Sequence, residues 1–293
     1  MRIKLQEKLI FFLNKLFHRP YGSFGELAAA KTGAQAYFQW ELEQAERSYS
    51  AFRPHINLED KNVLDVGCGL GGKELFYLQK GARSVTGLDI SQTNVRIAQA
   101  CFAERQPGVE QRLRLVVADA AAMPFADNSF DTAISTYTFE HLADPAGVLG
   151  EMQRVIKPGG EVFISFPPYF SPWGAHLTDW IRFPWCQVFF SERALLNVAR
   201  AIEENERIHA SLPEFARIDL AGAVELPHVN KLTVAGFERL LETNSLEVVS
   251  RRNRPVGTDM VKILCPVLSL VAKIPLLREM FTGSVVLVGR KTN

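Results

Sequence analysis

Three closely spaced glycines, Gly67, Gly69 and Gly72, follow directly on an apolar run that begins at Val63. This order predicts a buried parallel strand, a tight turn and the start of a helix. Glycine has no Cβ, so its backbone can approach a bound molecule closely, and the first turn of a helix offers free N–H groups. We therefore expect this loop to bind a cofactor.

The glycines do not identify the cofactor, because their G-x-G-x-x-G spacing also occurs in dinucleotide-binding proteins. Asp65 stands two residues before Gly67, where dinucleotide sites usually have an apolar residue, and a carboxylate there suits a cationic ligand. Asp89 ends a second apolar run, and an acid at this distance can bind ribose hydroxyls in either class of cofactor. These residues alone leave an NAD-dependent oxidoreductase open as an alternative.

Five stretches, which follow one another over about a third of the chain, carry a family resemblance. They are the segments 63–72, 87–91, 118–125, 130–142 and 149–160. In combination they resemble the class I S-adenosylmethionine-dependent methyltransferases, closest to the quinone and small-molecule branch. The resemblance implies S-adenosylmethionine as cofactor. It also implies an α/β fold, with a Rossmann-like, seven-stranded, mostly parallel sheet, helices on both faces and a helical cap.

The resemblance also supplies the expected cofactor contacts. Asp65 and the loop from Gly67 to Gly71 should lie against the methionine part of the cofactor. Asp89 should bind both ribose hydroxyls, with Ile90 against the adenine, and Asp119 should meet the adenine amino group. The complete set of expected cofactor-binding residues is Asp65, Gly67, Cys68, Gly69, Asp89, Ile90, Asp119, Ala120, Ser135 and Thr136.

Composition narrows the possible partners. The 293 residues are 47% hydrophobic and 22% charged, with a net charge of +1, which is typical of a globular protein. Without a basic excess, nucleic acid is not an expected partner. The four cysteines are widely spaced, which favours reduced thiols and a cytoplasmic location over a disulfide framework. No metal site is expected, because Asp127 and Asp131, near Asp119, fit turn and strand-start positions.

The order of elements predicts the domain organisation. Strands near 62–67, 83–89, 113–118, 130–136 and 161–166 alternate with helices near 71–80, 91–104 and 145–156. A helix at 234–243 and strands at 246–250 and 284–289 complete the sheet. We expect an N-terminal helical segment at 1–53, a cofactor-binding core at 54–167, a cap insertion at 168–232, and a C-terminal part of the core at 233–293 with a second cap insertion at 251–283.

The first insertion leaves the carboxyl end of the fifth strand, where open α/β sheets bind their ligands, and it is rich in aromatic residues. This favours a cap that encloses an apolar acceptor such as an isoprenoid, a quinone, a polyketide or another lipid-like compound. The alternative is that the rings form the core of the cap itself. The expected substrate-binding residues are Tyr137, Tyr169, Phe170, Trp173, Trp180 and Trp185.

Methyl transfer from a sulfonium is an in-line displacement, so alignment of the two reactants supplies much of the rate. A hydroxyl acceptor would also need a base, and His141, after the fourth strand, and His176, in the cap, are the candidate catalytic residues. A carbon acceptor would instead need aromatic rings or carboxylates that stabilise a cation. An S-adenosylmethionine-binding protein with a non-methylating or regulatory role is a further alternative.

The N-terminus predicts an amphipathic helix with Leu5, Leu9, Phe12 and Leu16 on one face. Positive charge is added by Arg2, Lys4, Lys8, Lys15 and Arg19. Two interpretations follow: the helix covers the domain's own core or active site, or it makes peripheral contact with an anionic membrane surface. The sequence does not predict an oligomeric state.

Overall fold

The computed structural model of the chain describes residues 2–17, 33–105, 108–206, 212–213, 218–220, 223, 225–226, 229–256 and 274–292. Its centre is a seven-stranded sheet in the order β3-β2-β1-β4-β5-β7-β6. The strands are β1 (Asn62–Val66), β2 (Ser84–Asp89), β3 (Leu113–Val117), β4 (Phe130–Thr136), β5 (Ile156–Phe166), β6 (Leu246–Pro255) and β7 (Thr282–Lys291). The first five are parallel, whereas β7 pairs antiparallel with both β5 and β6. The predicted fold is therefore confirmed.

Helices cover both faces of this sheet and continue into the cap. They are α1 (Arg2–Leu16), α2 (Ala34–Phe52), α3 (Gly72–Gln79), α4 (Gln92–Arg105), α5 (Pro145–Val155), α6 (Cys186–Phe189), α7 (Glu192–Glu206), α8 (Val234–Glu242) and α9 (Pro275–Phe281). The start of α5 illustrates how the sequence sets a boundary: the Asp144 side chain accepts a hydrogen bond from the Gly147 backbone N–H, and Pro145 occupies the first turn. No helix among the described residues is long and apolar enough to cross a membrane.

Three strands, β5, β6 and β7, are longer than the sequence predicts. β5 begins at Ile156 rather than near 161 and passes through Gly159, whose φ of +74° accompanies a register shift against β4. β6 and β7 extend as a paired ladder as far as Pro255 opposite Thr282. Part of the predicted insertion at 251–283 is thus an extension of the sheet, and residues 257–273 lie outside the described part of the chain.

The sheet and the cap have separate hydrophobic cores. On one face of the sheet, residues such as Leu64 and Ile164 pack with helices α5 and α8, and on the other face Val63 and Phe163 pack with α2 and α3. The cap has its own cluster, in which Trp180 and residues of α7 surround Ile10 of α1. The N-terminal helix therefore folds onto the cap rather than onto the sheet.

One close contact fixes α2 against the glycine loop. A Cβ added at Gly72 would collide with the backbone oxygen of Phe38, the Cβ of Glu41 and the backbone nitrogen of Leu42. These atoms belong to a rigid helix, so the clash cannot be relieved by rotating a side chain. Gly72 thus allows the two helices to pack at a distance that no other residue would permit.

We predict opposite effects for two glycine-to-alanine substitutions in helices. Gly72→Ala should lower the free energy of unfolding by about 1–3 kcal/mol, because the added methyl overpacks the α2 contact. Gly150→Ala, in α5, meets no atom within 4 Å and should raise stability by about 0.5–1 kcal/mol through helix propensity. Urea unfolding of both variants measures the difference, and equal effects of the same sign would contradict the packing argument.

Candidate active site

The glycine loop is fixed to the ends of two strands. The backbone N–H groups of Gly67 and Cys68 donate to the carbonyl of Leu88, at 2.8 and 3.0 Å. The N–H of Gly69 donates to Asp89 Oδ2 at 3.0 Å, and φ is +81° at Gly67 and +60° at Gly69. These left-handed conformations favour glycine. The loop is therefore shaped by its backbone and tied to β2 through the Leu88 carbonyl and the Asp89 carboxylate.

The second carboxylate oxygen of Asp89 is also hydrogen-bonded. Asp89 Oδ1 accepts a hydrogen bond from the backbone N–H of Ser91 at 2.8 Å, which orders the turn before α4. The neighbouring Ile90 side chain is 73% exposed, an unusual position for a large apolar group. An acid and an exposed apolar side chain thus stand side by side at the end of β2.

A cavity of about 470 Å³ opens at this edge of the sheet, where β1, β2, β3 and β4 end. The predicted site residues that line it are Gly67, Gly69, Asp89, Ile90, Asp119, Ala120, Thr136, Tyr137 and His141. The structure therefore brings most of the expected cofactor-binding residues into one cavity, together with Tyr137 and His141.

Three predicted cofactor residues lie behind the cavity wall instead. Asp65 is fully buried, with its Oδ2 3.4 Å from Lys73 Nζ. Cys68 is also buried, and burial raises the pKa of its thiol well above the ordinary value. The Ser135 hydroxyl donates to the carbonyl of Val66 at 3.1 Å. Their contacts with the cofactor stay predictions. In the structure Asp65 and Ser135 instead contact residues around the glycine loop.

Lys73 is the buried cation that contacts both Asp65 and the glycine loop. Its ammonium group donates to the carbonyl of Gly67 at 2.8 Å and to Thr136 Oγ1 at 3.4 Å. Burial alone would lower the pKa of Lys73, but the nearby carboxyl groups of Asp65, Glu41 and Glu74 outweigh it and hold this pKa above the ordinary value. Burial likewise raises the pKa of Glu74, and the Asp65 charge adds to that rise.

Helix α2 forms a wall of the cavity that sequence reasoning missed. Its contributing residues, at helical spacing along one face, are Tyr37, Trp40, Glu41, Gln44 and Ser48. The Glu41 carboxylate accepts hydrogen bonds from the backbone N–H groups of Leu70, at 3.3 Å, and Gly72, at 3.1 Å. The sequence pattern that could have predicted this wall is the recurrence of polar residues every three to four positions along a half-apolar helix.

Glu140, His141 and His176 converge beside the cavity, and of these three residues only His141 is part of its lining. The two imidazole rings meet edge to face with centroids 4.9 Å apart, although the residues belong to different parts of the chain. Glu140 Oε1 lies 3.8 Å from His141 Nε2. Glu140 is buried, and burial raises the pKa of its carboxyl to about 8. The two candidate bases predicted from the sequence are thus neighbours.

The predicted substrate aromatics divide into two groups. Tyr137 lines the cavity, is 51% exposed and has a φ of +56°. Trp180 is instead a core residue of the cap, because it is buried and its indole N–H donates to Glu203 at 2.7 Å. Trp185 donates to the carbonyl of Met280. The cavity lining likewise does not include Tyr169, Phe170 or Trp173, and their contacts with an acceptor stay predictions.

The residues present fit S-adenosylmethionine. The Asp89 carboxylate stands at a strand end beside the cavity, and the exposed Ile90 offers an apolar surface to a nucleobase. Asp119 Oδ1 accepts from the Ala121 N–H at 2.9 Å, which orients this carboxylate at the cavity wall. Carboxyl groups of Glu41, Asp89 and Asp119 also suit a ligand that carries a sulfonium and an ammonium.

The raised pKa of Glu41 gives a stability prediction. Burial raises this pKa from 4.5 to about 7; the Lys73 charge lowers it, and the Asp65 charge raises it further. Between pH 4.5 and 7 the folded state holds a proton that the unfolded state has lost, so stability conferred by this group falls as the pH rises. Wild type should lose up to about 3 kcal/mol relative to Glu41→Gln across this window.

Denaturant unfolding of wild type, Glu41→Gln and the exposed control Glu46→Gln at several pH values measures this effect. The stability difference between wild type and Glu41→Gln should change with pH, and that between wild type and Glu46→Gln should not. A pH-independent difference for Glu41→Gln would show that this carboxyl titrates alike in the folded and unfolded states.

Part of the sequence is similar to proteins of a known family. Residues 64–164 match the family described as "Methyltransferase domain". Ajmaline N-methyltransferase of Rauvolfia serpentina is 32% identical over 147 residues, which are 50% of each chain. Sterol 4-C-methyltransferase strm-1 of Caenorhabditis elegans is 37% identical over 106 residues, which are 36% of this chain and 31% of the relative.

Ubiquinone biosynthesis O-methyltransferase of Pseudomonas fluorescens is 33% identical over 144 residues, 46% of this chain and 60% of the relative. The chain thus matches between about a third and three fifths of the length of these relatives. The family match over residues 64–164 includes the glycine loop, the ends of β1 to β4 and helices α3 to α5. The cap at 168–232 lies outside the family match.

Solved structures share the fold over most of the chain. The [4+2]-cyclase SpnF superposes with a TM-score of 0.53 at 20% identity, over 84% of this chain and 80% of that one. An S-adenosylmethionine-dependent methyltransferase from Mesorhizobium loti has a TM-score of 0.50 at 16% identity, over 88% of this chain and 100% of that one. Residues 64–164 of this chain are therefore a methyltransferase domain of the S-adenosylmethionine-dependent type, and the larger part of the chain shares the fold of such enzymes.

Proposed function

We propose that the protein transfers the methyl group of S-adenosylmethionine to an apolar small molecule. The observation that carries this proposal is the single cavity that runs from Asp89 and Asp119 to Tyr137 and His141. The bound cofactor supplies a methyl group that is already activated by the positive charge on sulfur. The products are the methylated acceptor, S-adenosylhomocysteine and, from a hydroxyl acceptor, one proton.

The walls near His141 favour an apolar acceptor. Trp40, Tyr137, Leu142 and Ala143 line the same cavity as His141, so a flat or branched hydrocarbon would bury apolar surface there. The relatives named above are described as acting on an alkaloid nitrogen, a sterol carbon and an oxygen in ubiquinone biosynthesis. For this chain we propose an isoprenoid, a quinone or a polyketide, with His141 and His176 as the candidate proton acceptors.

The residues around the cavity would align the acceptor and exclude water. Helix α2 closes one side through Glu41 and its hydrogen bonds to the loop. The cap reaches the other side, because His176 packs against His141. Closure of such elements over a site commonly controls turnover.

We also propose that α1 holds the enzyme at an anionic membrane surface, where apolar acceptors concentrate. One face of α1, with Ile10 and Leu13, packs into the cap. The predicted stripe points outward, since Leu5, Phe12 and Leu16 are each more than half exposed. Among the described residues 4–17, the exposed charged side chains are Lys4, Lys8 and Lys15, which lie beside this stripe and complement anionic lipid.

The proposed function is tested first at the cofactor. Asp89→Ala should weaken S-adenosylmethionine binding by about 10- to 150-fold, because a charged acceptor of hydrogen bonds is lost. Asp127→Ala, an exposed aspartate paired with Arg154, is the matched control and should bind like wild type. Calorimetry measures both variants, and wild-type affinity in a folded Asp89→Ala protein would refute the assigned role.

Turnover is tested next with methyl-labelled S-adenosylmethionine and a panel of quinols, prenylated phenols, polyketides and sterols. The proposal expects label in at least one apolar acceptor and none in matched polar analogues. Cofactor binding without label in any member would favour the non-methylating alternative, and tight NADH binding in its place would favour the oxidoreductase.

The membrane proposal predicts that vesicle binding depends on the exposed stripe. Phe12→Ser with Leu16→Ser should reduce co-sedimentation with vesicles that contain phosphatidylglycerol at least several-fold, because buried apolar area and helix amphipathicity are lost. Val248→Ser, which removes an exposed apolar group from β6, is the control. Equal sedimentation of all three proteins, or a change only in their dimerisation, would contradict a lipid-binding role for α1.

A further inference from the structure

Glu140, His141 and His176 form a cluster with the composition of a metal site. Each residue offers one ligand atom, and the three atoms lie within 4.8 Å of one another. The sequence does not predict this site, because His176 is distant in the chain from the other two residues. Residues 140 and 176 are 36 positions apart, and the cap is what brings them together.

The buried carboxyl of Glu140 points to a missing partner. Glu140 is 3% exposed, and its Oε2 has no hydrogen-bond partner among the described residues. Its Oε1 lies 3.8 Å from His141 Nε2. A buried polar atom without a partner is costly, and a bound cation would satisfy it. Ligand atoms of a tetrahedral zinc ion lie about 3.3 Å apart, so a modest inward movement of the three side chains would close the site.

The backbone that carries two of these ligands is firmly held. The Asn230 side-chain amide donates to the carbonyls of Phe139, at 2.6 Å, and Leu142, at 2.8 Å. The backbone N–H of Asn230 donates to the carbonyl of Glu140 at 2.9 Å. Three hydrogen bonds from one residue therefore fix the short turn on which Glu140 and His141 lie. Such outer contacts orient ligands in metal sites.

We propose that Glu140, His141 and His176 bind one divalent first-row metal ion, for which Zn²⁺ is the best match to two imidazoles and a carboxylate. Three protein ligands leave a coordination position open. Because His141 lines the cavity, the ion lies at the cavity wall and can bind an acceptor hydroxyl. This step rests on the proposed function and narrows its acceptor to an oxygen compound, such as a phenol or an enol.

The ion would stabilise the deprotonated oxygen of the acceptor. A metal lowers the pKa of a bound hydroxyl strongly, and the released proton passes to solvent water. Both imidazoles then act through the ion instead of as free bases. No oxidant or reductant is required.

Zinc binding to the full chain, stripped of metal with a chelator, tests the site without reference to turnover. Calorimetry with Zn²⁺ and visible absorption with Co²⁺ should both give one ion per chain in wild type. His141→Gln and His176→Gln should each weaken Zn²⁺ binding by about 10-fold or more. His55→Gln, a half-buried histidine before β1, is the matched control and should bind like wild type.

The two histidine variants carry the test, because both side chains are at least partly exposed and their replacement leaves the buried Glu140 in place. Glu140→Gln is the third variant. Unchanged Zn²⁺ affinity in both histidine variants, absence of binding to wild type, or binding of Mg²⁺ as tight as that of Zn²⁺ would overturn the proposal.

A parallel titration with S-adenosylmethionine separates this inference from the proposed function. Cofactor binding and methyl transfer in a protein that takes up no ion would refute the metal site alone. A zinc site in a protein that never methylates an apolar acceptor would refute the proposed function and leave the ion-binding result intact.

Discussion

The site depends on the interactions that the buried ammonium group of Lys73 makes. This group joins the end of β1 through Asp65, the glycine loop through the Gly67 carbonyl and the end of β4 through Thr136. Loss of one member of a buried charge pair typically costs about 3–5 kcal/mol, because the other is left without compensation. The positions of the loop and of two strand ends are therefore coupled. A cofactor that needs the loop and β4 at a fixed separation benefits from this coupling.

Elements outside the family match complete the site. Residues 64–164 supply the strand ends and the loop, yet Glu41 reaches the loop from α2, and His176 reaches His141 from the cap. Asn230, just before α8, holds the turn that carries Glu140 and His141. The site is thus built from the matched core together with three segments that lie before and after it in the chain.

The sequence predicts the sheet well, because each strand is an apolar run bounded by turn residues and the motifs lie at strand ends. The position of Asp89 beside the loop follows from this order. The wall formed by α2 could not be assigned in the same way, since residues spaced along a helix face can serve a core, a surface or a ligand. Two features depend on how the cap folds back onto the sheet: the burial of Trp180 and the contact between His141 and His176. No local sequence pattern predicts this folding.

The packing of α1 has a consequence for the order of events during protein synthesis. Its partners are far along the chain: Gln6 bonds to Ser191 and Asn14 to Trp180 and Arg182, at separations of 166 to 185 residues. At a translation rate of about 5–20 residues per second, α1 waits roughly 10–40 s for these residues to leave the ribosome. During that interval both of its apolar faces are uncovered. A chaperone or another apolar surface near the ribosome can therefore meet the helix before its partners in the cap have been synthesised.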